Sequence, residues 1–361
     1  MPSPILRVDG DAIRHNVDAW GRLIAPRELW AVVKSDGYGL GAIEVSRACL
    51  EAGATRLCVI DLSEARELRG ARVAAPIVHI AATSPSEFFL ALDLDVEVTL
   101  EDWRAAETLD ESAQRKKAIA AAHVAIDTGT GWSGIRPSDV KAFAKRASTL
   151  RHIRWLGVWT HVAGSGTMRD QLVEFARAVT TLRDAGLDFE YEHVASTAPT
   201  VLGAPGDAVR VGVGLYGSTF GETSLLLNLK TAIELRAPVV HVRRFESPTR
   251  LGYGGRASAN AGDVIATLRL GYADGLPRGI ANRGIVVFDR EPAPIVGAIG
   301  MNFTMVRMPK NLQVKVGDEA LVVGDIDGIR LDDVARAAGV MPHELCTALG
   351  NLRALPPSRP A

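Results

Sequence analysis

A lysine at the end of an apolar run is the first residue in this chain whose position predicts chemistry. The run Leu29–Val33 is typical of a short strand buried on both faces, and Lys34 follows it directly. Desolvation lowers the pKa of a lysine at such a position and makes it a candidate amine nucleophile for Schiff-base formation. The alternative is a lysine whose ammonium reaches solvent at the rim of a barrel, and the run alone leaves both open.

Two glycine-rich turns predict a second kind of chemistry. Tyr38 lies between glycines soon after Lys34, and Gly212, Val213 and another glycine follow a second apolar run. Backbone N–H groups exposed by such a turn form a nest that suits a phosphate, although a tight turn alone is the simpler explanation. An amine beside a phosphate cradle is consistent with pyridoxal 5′-phosphate (PLP), because that cofactor needs both.

Further polar residues lie at the ends of predicted strands. His161 ends one, the pair Ser196 and Thr197 follows another, and Arg210 lies near the end of a third. Each alone is explained by an ordinary structural role. The carboxyl ends of barrel strands meet at one mouth, so together these residues predict a single site.

The elements that must position these residues alternate between strand and helix in the first two-thirds of the chain. Eight strands separated by crossover segments predict a (β/α)8 barrel of the TIM type, with a doubly wound sheet as the alternative. The predicted strands are Leu29–Val33, Arg56–Ile60, Pro76–Ile80, Val96–Leu100, His123–Ile126, Leu156–Thr160, Tyr191–Ala195 and Ala208–Val211.

The pattern changes near Asn228 to short alternating runs with glycine turns, which predict a β domain. Two helical segments, Leu331–Ala338 and Pro342–Leu349, follow it. We therefore predict a barrel over residues 1–228 and a mostly β domain with terminal helices over residues 229–361.

The amino-acid composition and net charge argue against several classes of function. The net charge of −1 over 361 residues gives no electrostatic case for a nucleic-acid or membrane partner. We find no signal peptide and no apolar run of about 18 residues. The three cysteines lack metal-type spacing and are typical of reduced thiols in a cytoplasmic protein, and we predict no metal site.

The stretch from Leu29 to Gly41 resembles the cofactor-lysine motif of alanine racemases, which are two-domain PLP enzymes. The resemblance recurs in order along nearly the whole chain. Its other motifs include Val209-Arg210-Val211-Gly212-Val213-Gly214-Leu215-Tyr216-Gly217 and Gly271-Tyr272-Ala273-Asp274-Gly275. The resemblance implies a PLP-dependent isomerase that racemises a small amino acid.

It also implies roles for individual residues. Lys34 would hold PLP, His161 would stack on its ring, and Arg210 would face the ring nitrogen. The phosphate would be bound by Tyr38, Ser196, Thr197, Gly212 and Val213. Lys34 and Tyr272 would be the two catalytic bases, one on each face of the α-carbon, with Tyr272 reaching the site of a partner subunit in a homodimer. A hydrogen bond from His161, itself linked to Arg210, would favour the Tyr272 phenolate.

The chain departs from the family pattern around the substrate. Trp132 replaces an arginine that contacts the substrate carboxylate, and Ala125 replaces the lysine that supports that arginine. Met301 and Trp132 would then contact the substrate. Other substitutions are Gly166, Ala298, Asn302 and the loss of an entrance tyrosine at Gly350 or Asn351. We expect a broadened or altered amino-acid range. The alternatives are another PLP-dependent α-carbon reaction, decarboxylation or retro-aldol cleavage, or a non-catalytic PLP-binding protein.

Overall fold

A computed structural model of the chain describes residues 2–164, 166–219 and 227–352. The chain begins with strand β1 (Ile5–Val8) and helix α1 (Gly10–Ile24). It divides into two compact units that are not consecutive halves. The barrel unit comprises Val17–Gly37 and Ala42–Gly212, and the β unit comprises Met1–Asn16, Tyr38–Gly41 and Val213–Ala361.

The barrel unit is a nearly closed sheet of nine parallel strands, which confirms the predicted TIM-type barrel. The strand order is β8-β7-β6-β5-β4-β3-β2-β10-β9. The strands are β2 (Glu28–Val32), β3 (Arg56–Val59), β4 (Ile77–Ala82), β5 (Val96–Leu100), β6 (Ala120–Ala125), β7 (Ile153–Trp159), β8 (Tyr191–His193), β9 (Ala195–Ser196) and β10 (Ala208–Val211). Parallel neighbours need crossover connections, which explains the alternation seen in the sequence.

Helices supply these crossovers. The α-helices after α1 are α2 (Lys34–Tyr38), α3 (Ala42–Glu51), α4 (Leu62–Gly70), α5 (Phe88–Asp93), α6 (Trp103–Lys116), α7 (Val140–Ala147), α8 (Met168–Asp184) and α9 (Thr197–Val201). Short 3-10 turns cover Pro85–Glu87, Pro137–Asp139 and Val213–Tyr216. Within the described residues, no helix is both long and apolar enough to span a bilayer.

The β unit contains an antiparallel sheet of order β1-β11-β14-β17-β16-β15-β18, in which β18 also pairs with β11. Its strands after β1 are β11 (Ile233–Arg244), β12 (Thr249–Leu251), β13 (Ala257–Ala259), β14 (Val264–Leu268), β15 (Ile285–Phe288), β16 (Glu291–Val296), β17 (Thr304–Arg307) and β18 (Glu319–Val323). Strands β12 and β13 form a separate hairpin. Helices α10 (Leu331–Ala338) and α11 (Pro342–Gly350) follow, and 3-10 turns cover Tyr253–Gly255, Tyr272–Asp274 and Arg278–Ile280.

Strand β1 belongs to the β unit although it begins the chain. It pairs antiparallel with β11, with Ile5 opposite Arg236 and Val8 opposite Ile233. The predicted range 1–228 therefore contains a strand that the structure places in the sheet of the β unit. Sequence periodicity could not show this, because pairing between distant segments leaves no local pattern.

Candidate active site

Lys34 begins α2, separated from the end of strand β2 by Val33 alone, and it is half-buried. The turn that follows is left-handed, with φ values of 55° at Ser35, 50° at Asp36 and 61° at Gly37. Such values are costly for residues with a Cβ atom and persist only when neighbouring contacts hold them. Here Asp36 Oδ1 accepts a bond from the Ala42 amide at 2.8 Å, and Glu64 accepts bonds from the amides of Ser35 and Ile60. The turn thus holds the lysine at the carboxyl end of a buried strand.

His161 and Arg210 share the electrostatic environment of Lys34 in the barrel unit. The pKa of His161 is lowered to about 4, first by burial and then by the positive charges of Arg210 and Lys34. His161 is therefore neutral near pH 7, where it can accept or donate a hydrogen bond. The structure brings these three predicted residues together at the mouth of the barrel.

Arg210 is buried in β10, and two of its three guanidinium nitrogens donate hydrogen bonds inside the barrel. Its Nη1 donates to His193 Nδ1 at 2.7 Å and to the His193 carbonyl, and its Nη2 donates to the Thr160 carbonyl at 2.9 Å. Burial lowers its pKa to about 10, so it remains a cation at neutral pH. Arg210 acts on His161 through its charge, which lowers the pKa of the imidazole. Its hydrogen bonds go to His193 and Thr160.

Two residues of the predicted phosphate cradle, Thr197 and Gly212, contact each other in the barrel unit. The Gly212 amide donates to the buried Thr197 hydroxyl at 3.3 Å, at the start of α9. Ser196 precedes it, half-buried at the end of β9. A hydroxyl beside a backbone amide at the first turn of a helix is a suitable donor set for a phosphate.

The remaining cradle residues, Tyr38 and Val213, belong to the β unit. Tyr38 has a φ of 61° and lies half-buried, with its ring centre 5.6 Å from that of Tyr216. Val213 opens the 3-10 turn that ends at Tyr216. Tyr38 therefore contacts Tyr216, the last residue of the turn that Val213 begins.

Trp132 is the most exposed large apolar side chain of the site, at 82% exposure. Its ring stacks on His161, with ring centres 5.9 Å apart and planes 20° apart. Asp127 holds the loop that carries it, because its Oδ1 accepts from the amides of Gly129 and Gly131 at 3.0 Å each. Trp132 thus forms an exposed apolar surface beside His161, at the position where the resemblance predicts an arginine.

Glu101 is a site residue that the sequence reasoning missed. It follows strand β5 directly, and burial raises its pKa despite the Ser133 hydroxyl and the Gly134 amide beside it. Its Oε1 is buried without a hydrogen-bond partner. Its position at a strand end was the signal that could have found it. Glu101 therefore borders the loop of Trp132 through Ser133 and Gly134.

In the β unit, Tyr272 and Met301 lie on adjoining segments. The Tyr272 amide donates to the Gly300 carbonyl at 3.0 Å, and the Ala273 amide donates to the Met301 carbonyl at 2.9 Å. A Cβ atom at Gly271 would lie 2.3 Å from the Met301 oxygen, so only glycine allows this approach. Both side chains are exposed, Tyr272 at 43% and Met301 at 56%.

Gly350, one of the two positions where the resemblance predicts a tyrosine, touches Gly39 within the β unit. A Cβ atom at Gly350 would lie 2.5 Å from the Gly39 oxygen, and one at Gly39 would lie 3.0 Å from the Gly350 Cα. The two backbones therefore touch at glycines, and no side chain fits at position 350. Within the described residues, no group of His, Cys, Asp and Glu side chains could hold a metal ion.

The residues of the barrel unit fit PLP. Lys34 offers an amine for the aldehyde carbon, the Thr197 hydroxyl and Gly212 amide offer donors for the phosphate, and buried Arg210 offers a cationic donor for a ring nitrogen. His161 offers a flat, neutral ring beside them.

Comparisons with known proteins agree along the chain. Residues 8–219 match the family described as "Alanine racemase, N-terminal domain", and residues 232–354 match "Alanine racemase, C-terminal domain". The alanine racemase of Desulforamulus reducens is 34% identical over 366 residues, covering 97% of this chain and 98% of the relative. "Alanine racemase 2" of Bacillus subtilis is 31% identical, covering 95% of this chain and 92% of the relative.

Solved structures give the same result. The alanine racemase from a D-cycloserine-producing Streptomyces lavendulae superposes with a TM-score of 0.88 at 30% identity, covering 97% of this chain and 95% of the other. The alanine racemase from Bartonella henselae, with covalently bound pyridoxal phosphate, superposes with a TM-score of 0.86 at 25% identity, covering 97% of this chain and 98% of the other.

Proposed function

The chain belongs to the alanine racemase family, and we propose that it interconverts the L and D enantiomers of a small amino acid with PLP as its cofactor. The observation that carries this proposal is the grouping of Lys34, His161 and Arg210, in which the two cations lower the pKa of the buried imidazole and keep it neutral. PLP enzymes use a lysine amine for the Schiff base and an Asp or Arg partner for the ring nitrogen, and Lys34 and Arg210 can supply both.

PLP, when bound, withdraws electrons from the α-carbon and so acidifies its proton. Lys34 would hold the cofactor, Arg210 would donate to its ring nitrogen, and His161 would lie against its ring. Because an arginine stays protonated, Arg210 would leave that nitrogen without a proton, which would weaken the electron withdrawal by the ring and limit side reactions. Tyr38, Ser196, Thr197, Gly212 and Val213 would hold the phosphate.

Racemisation needs one base on each face of the α-carbon. We propose that Lys34 Nζ removes or returns the proton on one face and that Tyr272 Oη does so on the other. Tyr272 would come from the partner subunit of a homodimer. Its exposure on the β unit leaves the phenol accessible for such a role.

The organisation and location of the protein are part of the proposal. We propose that residues 1–228 bind the cofactor and that residues 229–361 supply Tyr272 as the second base. Residues 353–361 lie outside the described range. The free cysteines Cys49, Cys58 and Cys346 are all buried, which supports a reducing, cytoplasmic setting.

We further propose that the substrate range is broader than alanine. An arginine–carboxylate contact is among the strongest polar contacts a site can offer, and Trp132 cannot make it. The exposed Trp132 ring provides apolar area for a larger side chain, and the Met301 segment would contact the substrate. A pocket of this kind discriminates poorly between side chains that differ by one methylene group.

The test is an absorption spectrum followed by a substrate panel. Purified protein should show a PLP absorption band that Lys34→Ala abolishes, and it should convert pure L- or D-amino acids to mixtures, including residues larger than alanine. A bound band with no racemisation of any amino acid would contradict the proposal and favour decarboxylation or retro-aldol cleavage. A clear preference for alanine would overturn the broadened range alone.

A further inference from the structure

A row of buried polar side chains runs through the interior of the barrel unit. We call the five residues Arg56, Glu97, His123, His193 and Arg210 the buried polar row; each comes from a different strand, β3, β5, β6, β8 and β10. Charged and polar groups in a barrel interior destabilise the fold unless each finds a partner. The row therefore needs an explanation beyond packing.

The contacts along the row are continuous. Arg56 Nε lies 3.2 Å from both Glu97 oxygens, and Glu97 Oε2 lies 3.0 Å from His123 Nε2. His123 Nδ1 lies 3.1 Å from His193 Nε2, and His193 Nδ1 lies 2.7 Å from Arg210 Nη1. Both ring nitrogens of each histidine are thus engaged within the row.

These contacts assign the ring proton of each neutral histidine to one of its two nitrogens. Arg210 can only donate, so His193 Nδ1 must accept. A neutral imidazole has one N–H, so His193 carries it on Nε2 and donates it to His123 Nδ1. His123 then carries its proton on Nε2 and donates it to Glu97, which accepts. Burial lowers the pKa of both histidines, which agrees with two neutral rings.

The surroundings hold the two rings in place. A Cβ atom at Gly157 would lie 2.2 Å from His123 Nδ1 and 3.2 Å from His193 Nε2, so the pair occupies the space that a glycine leaves free. The Trp30 ring centre lies 5.8 Å from that of His123 and 4.6 Å from that of His193. Neither ring can turn without displacing these neighbours.

We propose that Glu97 is a positioning residue that acts through His123 and His193 to hold Arg210 as a fixed, cationic donor. This inference rests on the proposed function, because that function places Arg210 at the cofactor. The row carries the cations of Arg56 and Arg210, and Glu97 is the carboxylate within it. A second carboxylate, Glu28, bonds Arg56 Nη1 at 2.9 Å and makes no contact with the histidines.

The first test needs no variant and no cofactor. Histidine labelled with ¹⁵N in the whole protein reports which ring nitrogen carries the proton. We expect two histidines to be neutral and protonated on Nε2 across neutral pH, and conservative single variants, His123→Gln and His193→Gln, to assign them. A ring protonated on Nδ1, or on both nitrogens, would overturn the proposal whatever reaction the protein catalyses.

The second test compares Glu97→Gln with Glu28→Gln, two changes that each remove one negative charge beside Arg56. Loss of Glu97 should lower the pKa of Arg210, because it removes the carboxylate that anchors the hydrogen-bonded row ending at this cation. His161 and Cys58 also interact electrostatically with Arg210, and both variants leave these two residues in place. The alkaline fall in PLP affinity and in kcat/KM should then begin at a lower pH in Glu97→Gln only.

PLP affinity measured by titration should also fall by about tenfold in Glu97→Gln. Removal of the partners that orient metal-binding residues causes losses of this size. Equal behaviour of the two variants would overturn the proposal. If Glu97→Gln fails to fold, the tautomers of the wild-type protein decide the question. If the protein racemises nothing, the tautomers and the PLP titration still test the row, so the two proposals can fail separately.

Discussion

At the residue scale, Trp132 occupies the position at which the family resemblance predicts an arginine. The ring stacks on His161 and is otherwise exposed, so its apolar face is available to a substrate side chain. The sequence predicted that this position contacts the substrate. It could not predict the stacking on His161, because that contact depends on how the loop from Gly129 to Gly134 is held.

Truncation of this ring should change specificity. We expect Trp132→Ala to raise KM for amino acids with large apolar side chains by about tenfold, since one desolvated apolar contact contributes about 1–3 kcal/mol, and to leave alanine nearly unchanged. Steady-state kinetics with both substrate sizes measure this. Phe89→Ala is the matched control, because Phe89 is a partly exposed aromatic on the outer helix α5. Equal effects of the two variants on both substrates would contradict the interpretation.

At the element scale, regular patterns predicted most strands, while long-range contacts determined the rest. Helix α1 was not among the predicted elements, although Ile13, Val17, Trp20 and Ile24 have helical spacing and are all buried. Asp9 Oδ1 also accepts from the amides at the start of this helix. This helix was predictable. The left-handed turn after Lys34 was not, because it depends on Glu64, a residue of the next crossover helix α4.

Strand β7 contains a glycine whose role follows from the histidine pair. We expect Gly157→Ala to destabilise the protein by about 1–3 kcal/mol, because the new Cβ atom would overlap His123 in a packed interior. Denaturant unfolding measures this. Gly21→Ala in helix α1 is the control, since nothing lies within 4 Å of its added Cβ atom, and it should stabilise the protein by about 0.5–1 kcal/mol. A neutral result at Gly157 would show that the pair can move.

At the scale of the whole molecule, the two predicted bases lie in different compact units of the chain. Lys34 belongs to the barrel unit and Tyr272 to the β unit. The sequence alone could not assign them to one site or to one subunit, since composition and periodicity carry no information about assembly. The family resemblance supplied that expectation, and mixing experiments can test it.

Two inactive variants should restore activity when their subunits exchange. If Tyr272 acts in the site of its partner, a mixed dimer of Lys34→Ala and Tyr272→Phe contains one intact site. Random exchange should then recover roughly a quarter of wild-type activity. Racemisation is measured before and after exchange under mild denaturant, with each variant alone as the control. No recovery, or a monomeric active species in sedimentation, would contradict the shared-site dimer.

The pairing of β1 with β11 has a consequence for how the chain is made. A ribosome releases residues from the N-terminus onward, so Ile5–Val8 emerges more than two hundred residues before its partner Ile233–Arg244. All strands of the barrel unit are complete by Val211, which lets that unit fold while β1 still has an unpaired edge. A fragment that ends at residue 228 would keep this edge open permanently and would be prone to association through it.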